Sequence, residues 1–194
     1  MQDFIFYIKL GRNHVLDFAA YDHILFLIAL ALPFAFKSWK KVILLATIFT
    51  IAHCASLFLS AYGFLVMDVS FIEFLIPITI LCTAIFNLIY VTSTLANRSL
   101  GLHIVATSFF GLIHGFGFSN YFNMLMAEEE EKLSALFGFA TGIEISQVMI
   151  VISVLAISYL CLSFAKVKPS LFTIVGSILI ILVTIPMLIR TLPW

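Results

Sequence analysis

Six side chains with metal-binding chemistry lie inside or at the edges of apolar stretches of this chain. Two of them share the segment Tyr21-Asp-His-Ile-Leu-Phe26, and the others are spread along the sequence. Imidazole nitrogens and carboxylate oxygens, without thiolates, suit borderline divalent ions such as nickel, cobalt and zinc. The sequence therefore predicts a metal site built from His14, Asp22, His23, His53, His114 and Glu144.

The Glu144 carboxyl is the clearest of these signals. It lies in Phe139-Ala-Thr-Gly-Ile-Glu-Ile-Ser-Gln147, with no basic residue nearby in the sequence. An ionisable group in a membrane span is costly unless it faces a cavity or a partner. We therefore expect a cation, a proton or a histidine beside Glu144, and Gln147 on the same helix face at i+3.

Each candidate also has a purely structural interpretation. His53 is consistent with a hydrogen bond to a carbonyl of another helix, and His114 lies among glycines that permit close helix packing. Asp22 is consistent with a cap on the first span. The fifth histidine, His103, is expected at the membrane interface. Taken together, the candidate residues still favour a metal site. Otherwise several unrelated structural roles would place polar residues at the same depth in the membrane by chance.

The composition is that of an integral membrane protein. Of the 194 residues, 63% are hydrophobic and only 10% are charged, whereas soluble domains carry about 25% charged residues. The formal net charge is zero, so we expect no nucleic-acid partner. Apolar stretches recur over the whole chain, which predicts one membrane domain, residues 1–194, embedded in the lipid bilayer.

Apolar stretches of about 20 residues, the length that crosses a bilayer, predict an all-α bundle of six transmembrane helices. A short amphipathic helix, interfacial or re-entrant, is expected before them in residues 1–19. The predicted spans are 20–36, 42–62, 71–93, 100–119, 135–163 and 169–190.

The lysine and arginine residues predict the orientation, because positively charged loops stay in the cytoplasm. Six of them, including Arg98, lie between odd and even spans on one side, and four lie on the other. We therefore predict an inner-membrane protein with both termini outside the cytoplasm. In this orientation spans one, two, four and five carry their polar groups to the outer half of one bundle, and only His103 falls toward the inner side.

Two pairs of glycines predict how the spans pack. The patterns Gly111-x-x-x-Gly115 and Gly138-x-x-x-Gly142 allow helix backbones to approach closely. We expect them to join spans four and five, which would bring His114 near Glu144.

The polar motifs also carry a family resemblance. They are Gly11-Arg-Asn-His14, Tyr21-Asp-His-Ile-Leu-Phe26, Phe49-Thr-Ile-Ala-His53, Ile113-His-Gly-Phe-Gly-Phe118 and Gly142-Ile-Glu144 with Gln147. Their order and spread resemble the HupE/UreJ family of hydrogenase and urease accessory membrane proteins, in its UreJ-like second branch. The resemblance implies nickel or cobalt permeation, and it implies that the six candidate residues match the family's polar positions.

Three functions fit these residues. The first is a permease for a divalent transition metal, nickel or cobalt first and zinc as an alternative. The second is an intramembrane metal-dependent hydrolase, with a metal on His23, His53 and His114 activating water and Glu144 as general base. The third is a structural subunit of a larger membrane complex, whose partners would be other membrane subunits.

Overall fold

The computed structural model describes residues 2–92, 100–127, 129 and 131–192. Arg98 and the acidic residues at 128 and 130 lie outside these ranges. The described chain is all-α, as predicted, with seven α-helices and one 3-10 turn, Phe36–Ser38. The helices are α1 (Gln2–Val15), α2 (Asp22–Ala31), α3 (Trp39–Ala61), α4 (Val69–Thr92), α5 (Leu100–Met126), α6 (Lys132–Ser163) and α7 (Pro169–Arg190).

Five helices in the described ranges, α3 to α7, are long and apolar enough to cross a bilayer. This confirms an integral membrane protein. The helices coincide with predicted spans two to six, although α5 continues to Met126, beyond the predicted end at 119. Long apolar runs are local features of the sequence, and for this reason these five were predicted correctly.

The predicted first span, 20–36, is wrong as a continuous helix. In its place α2 has only 10 residues, about 15 Å at 1.5 Å per residue, whereas a bilayer core is about 30 Å thick. Pro33 explains the early end, because it has no N–H to donate to the carbonyl of Ala29. The side-chain amide of Asn87 donates to that carbonyl instead, at 2.8 Å. A count of six continuous spans is therefore not confirmed.

The first helix packs along α6 through glycines. A Cβ added to Gly138 would lie 2.9 Å from the carbonyl oxygen of Phe4, and one added to Gly142 would meet the carbonyl oxygen of Ile8. Both positions advance by four residues, so α1 and α6 run parallel. Gly11 of α1 makes the reciprocal contact with the α6 backbone at Phe139. This close packing holds the end of α1, and therefore His14, inside the bundle.

The glycines of α5 pack against α3. A Cβ at Gly111 would lie 2.7 Å from the carbonyl oxygen of Phe49, and one at Gly115 would meet the carbonyl oxygen of His53. The predicted approach of α5 to α6 through the two glycine pairs was therefore wrong. Each glycine pair packs against a different helix, because a small-residue motif permits close packing but does not determine which helix packs there.

Candidate metal centre

Three histidines from three helices meet in the centre of the bundle. His14 lies in the last turn of α1, His23 is the second residue of α2, and His53 is in the middle of α3. One potential ligand nitrogen from each lies within 4.8 Å of the others. The ring centroids are 4.6 Å apart for His14 and His23, 5.7 Å for His14 and His53, and 5.6 Å for His23 and His53. We call these three residues the histidine triad.

The triad is removed from water. His23 and His53 are 2% and 0% exposed, and His14 is half-buried. Within the described structure, Nε2 of His14, Nε2 of His23 and both ring nitrogens of His53 are buried without a hydrogen-bond partner. Buried polar atoms are rarely left unpaired, because each loses its bonds to water and gains nothing in return. A bound cation would supply the missing interaction for three rings at once.

Asp22 orients the His23 ring. Its Oδ1 lies 3.1 Å from His23 Nδ1 and also accepts the backbone N–H of His23, at 2.9 Å. An ionised carboxylate can only accept hydrogen bonds, so Nδ1 carries the ring proton and Nε2 carries the lone pair. Metal-binding histidines in proteins commonly have such a carboxylate partner, which fixes the tautomer and increases the basicity of the ligand.

His114 of α5 adjoins the triad. Its ring centroid is 5.3 Å from that of His23, and it is 1% exposed. The hydroxyl of Thr79 donates to the carbonyl of Ile76 at 2.7 Å, so it accepts from His114 Nε2–H at 3.2 Å. The lone pair of His114 is therefore on Nδ1, which is buried and has no partner among the described atoms. His114 is thus available as a further ligand.

Glu144 lies in a different group. Its two carboxylate oxygens accept hydrogen bonds from Thr47, at 2.6 Å, and from Thr50, at 2.7 Å, both on α3. The Glu144 carboxylate oxygens do not belong to the group of potential ligand atoms formed by His14, His23 and His53. His103 is also separate, since its ring packs against Phe34 and Phe86.

The family model described as HupE / UreJ protein matches residues 1–190. This chain belongs to the HupE/UreJ family. No curated protein and no solved structure matches it significantly.

Aromatic rings enclose the triad of this HupE/UreJ protein. The Phe118 ring centroid is 3.9 Å from that of His14, and that of Phe139 is 5.6 Å from it. On the opposite side Phe49 lies 5.2 Å from His114 and 6.0 Å from His23. An apolar wall of this kind limits access of water and lowers the local dielectric constant, which strengthens any charge interaction at the imidazoles.

Sequence reasoning missed the threonines that position these groups. Thr47, Thr50 and His53 recur every three residues along α3, and this polar stripe could have indicated that one helix face serves both Glu144 and the triad. Thr79 gave no such signal, because a lone threonine in an apolar helix usually bonds to its own backbone. Its role depends on the packing of α4 against α5.

Proposed function

We propose that this HupE/UreJ protein is a membrane permease for a divalent transition metal, with nickel and cobalt as the first candidates and zinc as the alternative. The observation that carries the proposal is the set of unpartnered imidazole nitrogens that three helices bring together. His14, His23 and His53 bind the ion, His114 is the adjacent fourth imidazole, and Asp22 orients His23.

The donor set supports this class of cargo. Neutral imidazoles suit nickel, cobalt, zinc and copper, whereas calcium and magnesium prefer oxygen ligands. The preference for nickel and cobalt rests on the family. Three nitrogens from three separate elements leave coordination positions open, and an ion that must leave the site benefits from such an incomplete shell.

The arrangement favours transport over hydrolysis. The hydrolase hypothesis needs Glu144 beside the metal as general base. In the structure both oxygens of that carboxylate are bonded to threonine hydroxyls of α3. A purely structural subunit would have no need for several buried imidazole nitrogens without partners.

The proposed topology keeps six passes, with α1 and α2 acting as one interrupted first span. Their 14 and 10 residues are together about 36 Å long, enough to cross. Supporting this, α1 runs parallel to α6, and Leu32, just after α2, packs against Gly176 near the start of α7. The triad then lies at the interruption, as in transporters whose sites are formed by broken helices. We propose one domain, residues 1–194, in the inner membrane with both termini outside.

Metal binding by the purified protein tests the function. Nickel, cobalt and zinc would be titrated by calorimetry, and uptake would be measured in cells that produce the protein. His53→Ala should abolish binding and uptake, because it removes a triad ligand. His103→Ala is the matched control, since it removes the one histidine outside the site and should leave both unchanged. Wild-type binding by His53→Ala would contradict the proposal.

Cysteine labelling tests the topology. After replacement of Cys54, Cys82 and Cys161, single cysteines are introduced in place of Gln2, Trp39 or Ala127. An impermeant reagent added outside should label positions 2 and 127 but not 39. Equal labelling of positions 2 and 39 would show that α1 and α2 do not cross together.

A further inference from the structure

The Glu144 carboxyl is hydrogen-bonded to two threonine hydroxyls and lies beside one side-chain amide. Thr47 Oγ1 is 2.6 Å from Oε1, and Thr50 Oγ1 is 2.7 Å from Oε2. Gln147, fully buried, brings its amide oxygen within 3.3 Å of Thr50 Oγ1. Its Nε2 is buried with no partner among the described atoms, so a spare donor is available in the same cluster.

The cluster satisfies the ionised carboxylate. Thr47 and Thr50 each have one hydroxyl hydrogen, and each can point it at a carboxylate oxygen. Hydrogen bonds to a charged acceptor are short and strong, and the two separations fit that class. In this state both hydroxyls give up the alternative bond to their own helix.

The same atoms satisfy the protonated carboxyl. The carboxyl O–H can donate to Thr47 Oγ1, and Thr47 can turn its hydrogen to the carbonyl of Ile43, 3.1 Å away. Thr50 has the equivalent alternative in the carbonyl of Ala46, at 3.3 Å. The two protonation states therefore differ by rotation of hydroxyl groups, with no movement of the helices. A lysine, an arginine or a backbone N–H could only donate, and would favour the ionised state alone.

We propose that Glu144 is a reversible proton-binding site, separate from the histidine triad, in which Thr47 and Thr50 serve either protonation state. The ligand assigned is a proton, because oxygen atoms about 2.7 Å apart share a hydrogen. The step is the uptake of one proton from water by the carboxylate, and its release by the reverse reaction.

The charged surroundings are consistent with this role. Cys54 of α3 interacts electrostatically with Glu144. On α1, the guanidinium of Arg12 is bonded to the Asn13 side chain, and on α2 Asp22 is bonded to His23. Throughout the described ranges, no lysine or arginine pairs with Glu144. A proton is therefore the simplest neutralising partner.

Infrared spectroscopy of the purified protein tests the proton site without any metal. The carbonyl stretch of a protonated carboxyl would be recorded from acidic to alkaline pH. We expect a band that disappears as pH rises in the wild type and is absent at every pH in Glu144→Gln. A wild-type spectrum that differs from that of Glu144→Gln by no pH-dependent carboxyl band would overturn the proposal.

Two further variants keep the proton site testable if Glu144→Gln does not fold. Thr47→Val removes one hydroxyl donor to the carboxylate, and should change the midpoint of the band. Thr141→Val is the matched control, because this exposed threonine of α6 bonds only to the carbonyl of Phe137, and it should leave the midpoint unchanged. Equal midpoints in Thr47→Val and Thr141→Val would contradict the role of the threonine hydroxyls.

Discussion

The histidine triad and the Glu144 cluster are both polar groups within an apolar bundle, but they differ in hydrogen bonding. Ring nitrogens of His14, His23 and His53 are left without partners, while both oxygens of Glu144 accept a hydroxyl. A buried group without partners costs free energy. The triad therefore lacks partners that an ion would supply, whereas both oxygens of the Glu144 carboxyl already have hydrogen-bond partners.

If both proposals hold, the contrast explains how one helix serves two ligands. α3 supplies His53 to the triad and two threonines to Glu144. Nitrogen ligands select a transition metal, and hydroxyls that both donate and accept select a proton. Substitutions that affect one region and spare the other test this division.

The largest effect is expected from Gly115→Ala. The added Cβ would meet Ser56 Oγ and the carbonyl oxygen of His53, so α3 and α5 must move apart, which changes the position of His53 relative to its neighbours. A ligand displaced by about 1 Å no longer fits a metal site held to about 0.5 Å, and nickel binding measured by calorimetry should be lost. The midpoint of the Glu144 carboxyl band should change less.

Gly117→Ala is the control for this substitution. It lies on the same helix, but its Cβ would meet only the Cδ1 end of Ile76, at 2.8 Å, and Cγ2 of Ile72, at 3.6 Å. The flexible end of an isoleucine can move away, so binding should be retained. Similar losses in the two variants would mean that α5 packing in general, and not the contact at His53, controls the site.

Asp22→Asn should have an intermediate effect. The neutral amide oxygen accepts the His23 Nδ1–H more weakly than the carboxylate does, and the amide NH2 can also donate to the other tautomer. Loss of a carboxylate partner typically lowers metal affinity by about 10- to 100-fold. Competition with a metal indicator would measure the change. Asp17→Asn is the control, because this exposed carboxylate accepts only the N–H of Ala19 and asparagine can do the same. Unchanged affinity in Asp22→Asn would exclude the orienting role.

The smallest effect is expected from Thr79→Val. It removes the hydroxyl that accepts from His114 Nε2–H and frees the ring to change tautomer. One neutral hydrogen bond is worth about 1 kcal/mol, so nickel affinity should fall by about fivefold. Thr83→Val, one turn further along α4 with its hydroxyl on the carbonyl of Thr79, should have no effect. A loss from Thr83→Val as large as from Thr79→Val would rule out a specific role for His114.

The donor chemistry was already present in the sequence. Imidazoles and carboxylates in apolar stretches indicate a function, because lipid makes them costly. Predicted spans two to six coincide with α3 to α7, since an apolar run of about 20 residues is a local property. The metal-binding role of the six candidate residues stays a prediction, and the structure places four of the five histidines in one neighbourhood.

Only the tertiary structure decided how these groups are paired. The orientation of α6 about its own axis directs Glu144 toward the hydroxyls of Thr47 and Thr50. Close packing at glycines pairs α5 with α3 and α1 with α6. Pro33 and the amide of Asn87 end α2 early, so His14 and His23 reach the site from two separate helices. Such pairings depend on which helix faces meet, and contacts between residues far apart in sequence leave no periodic signal in the chain itself.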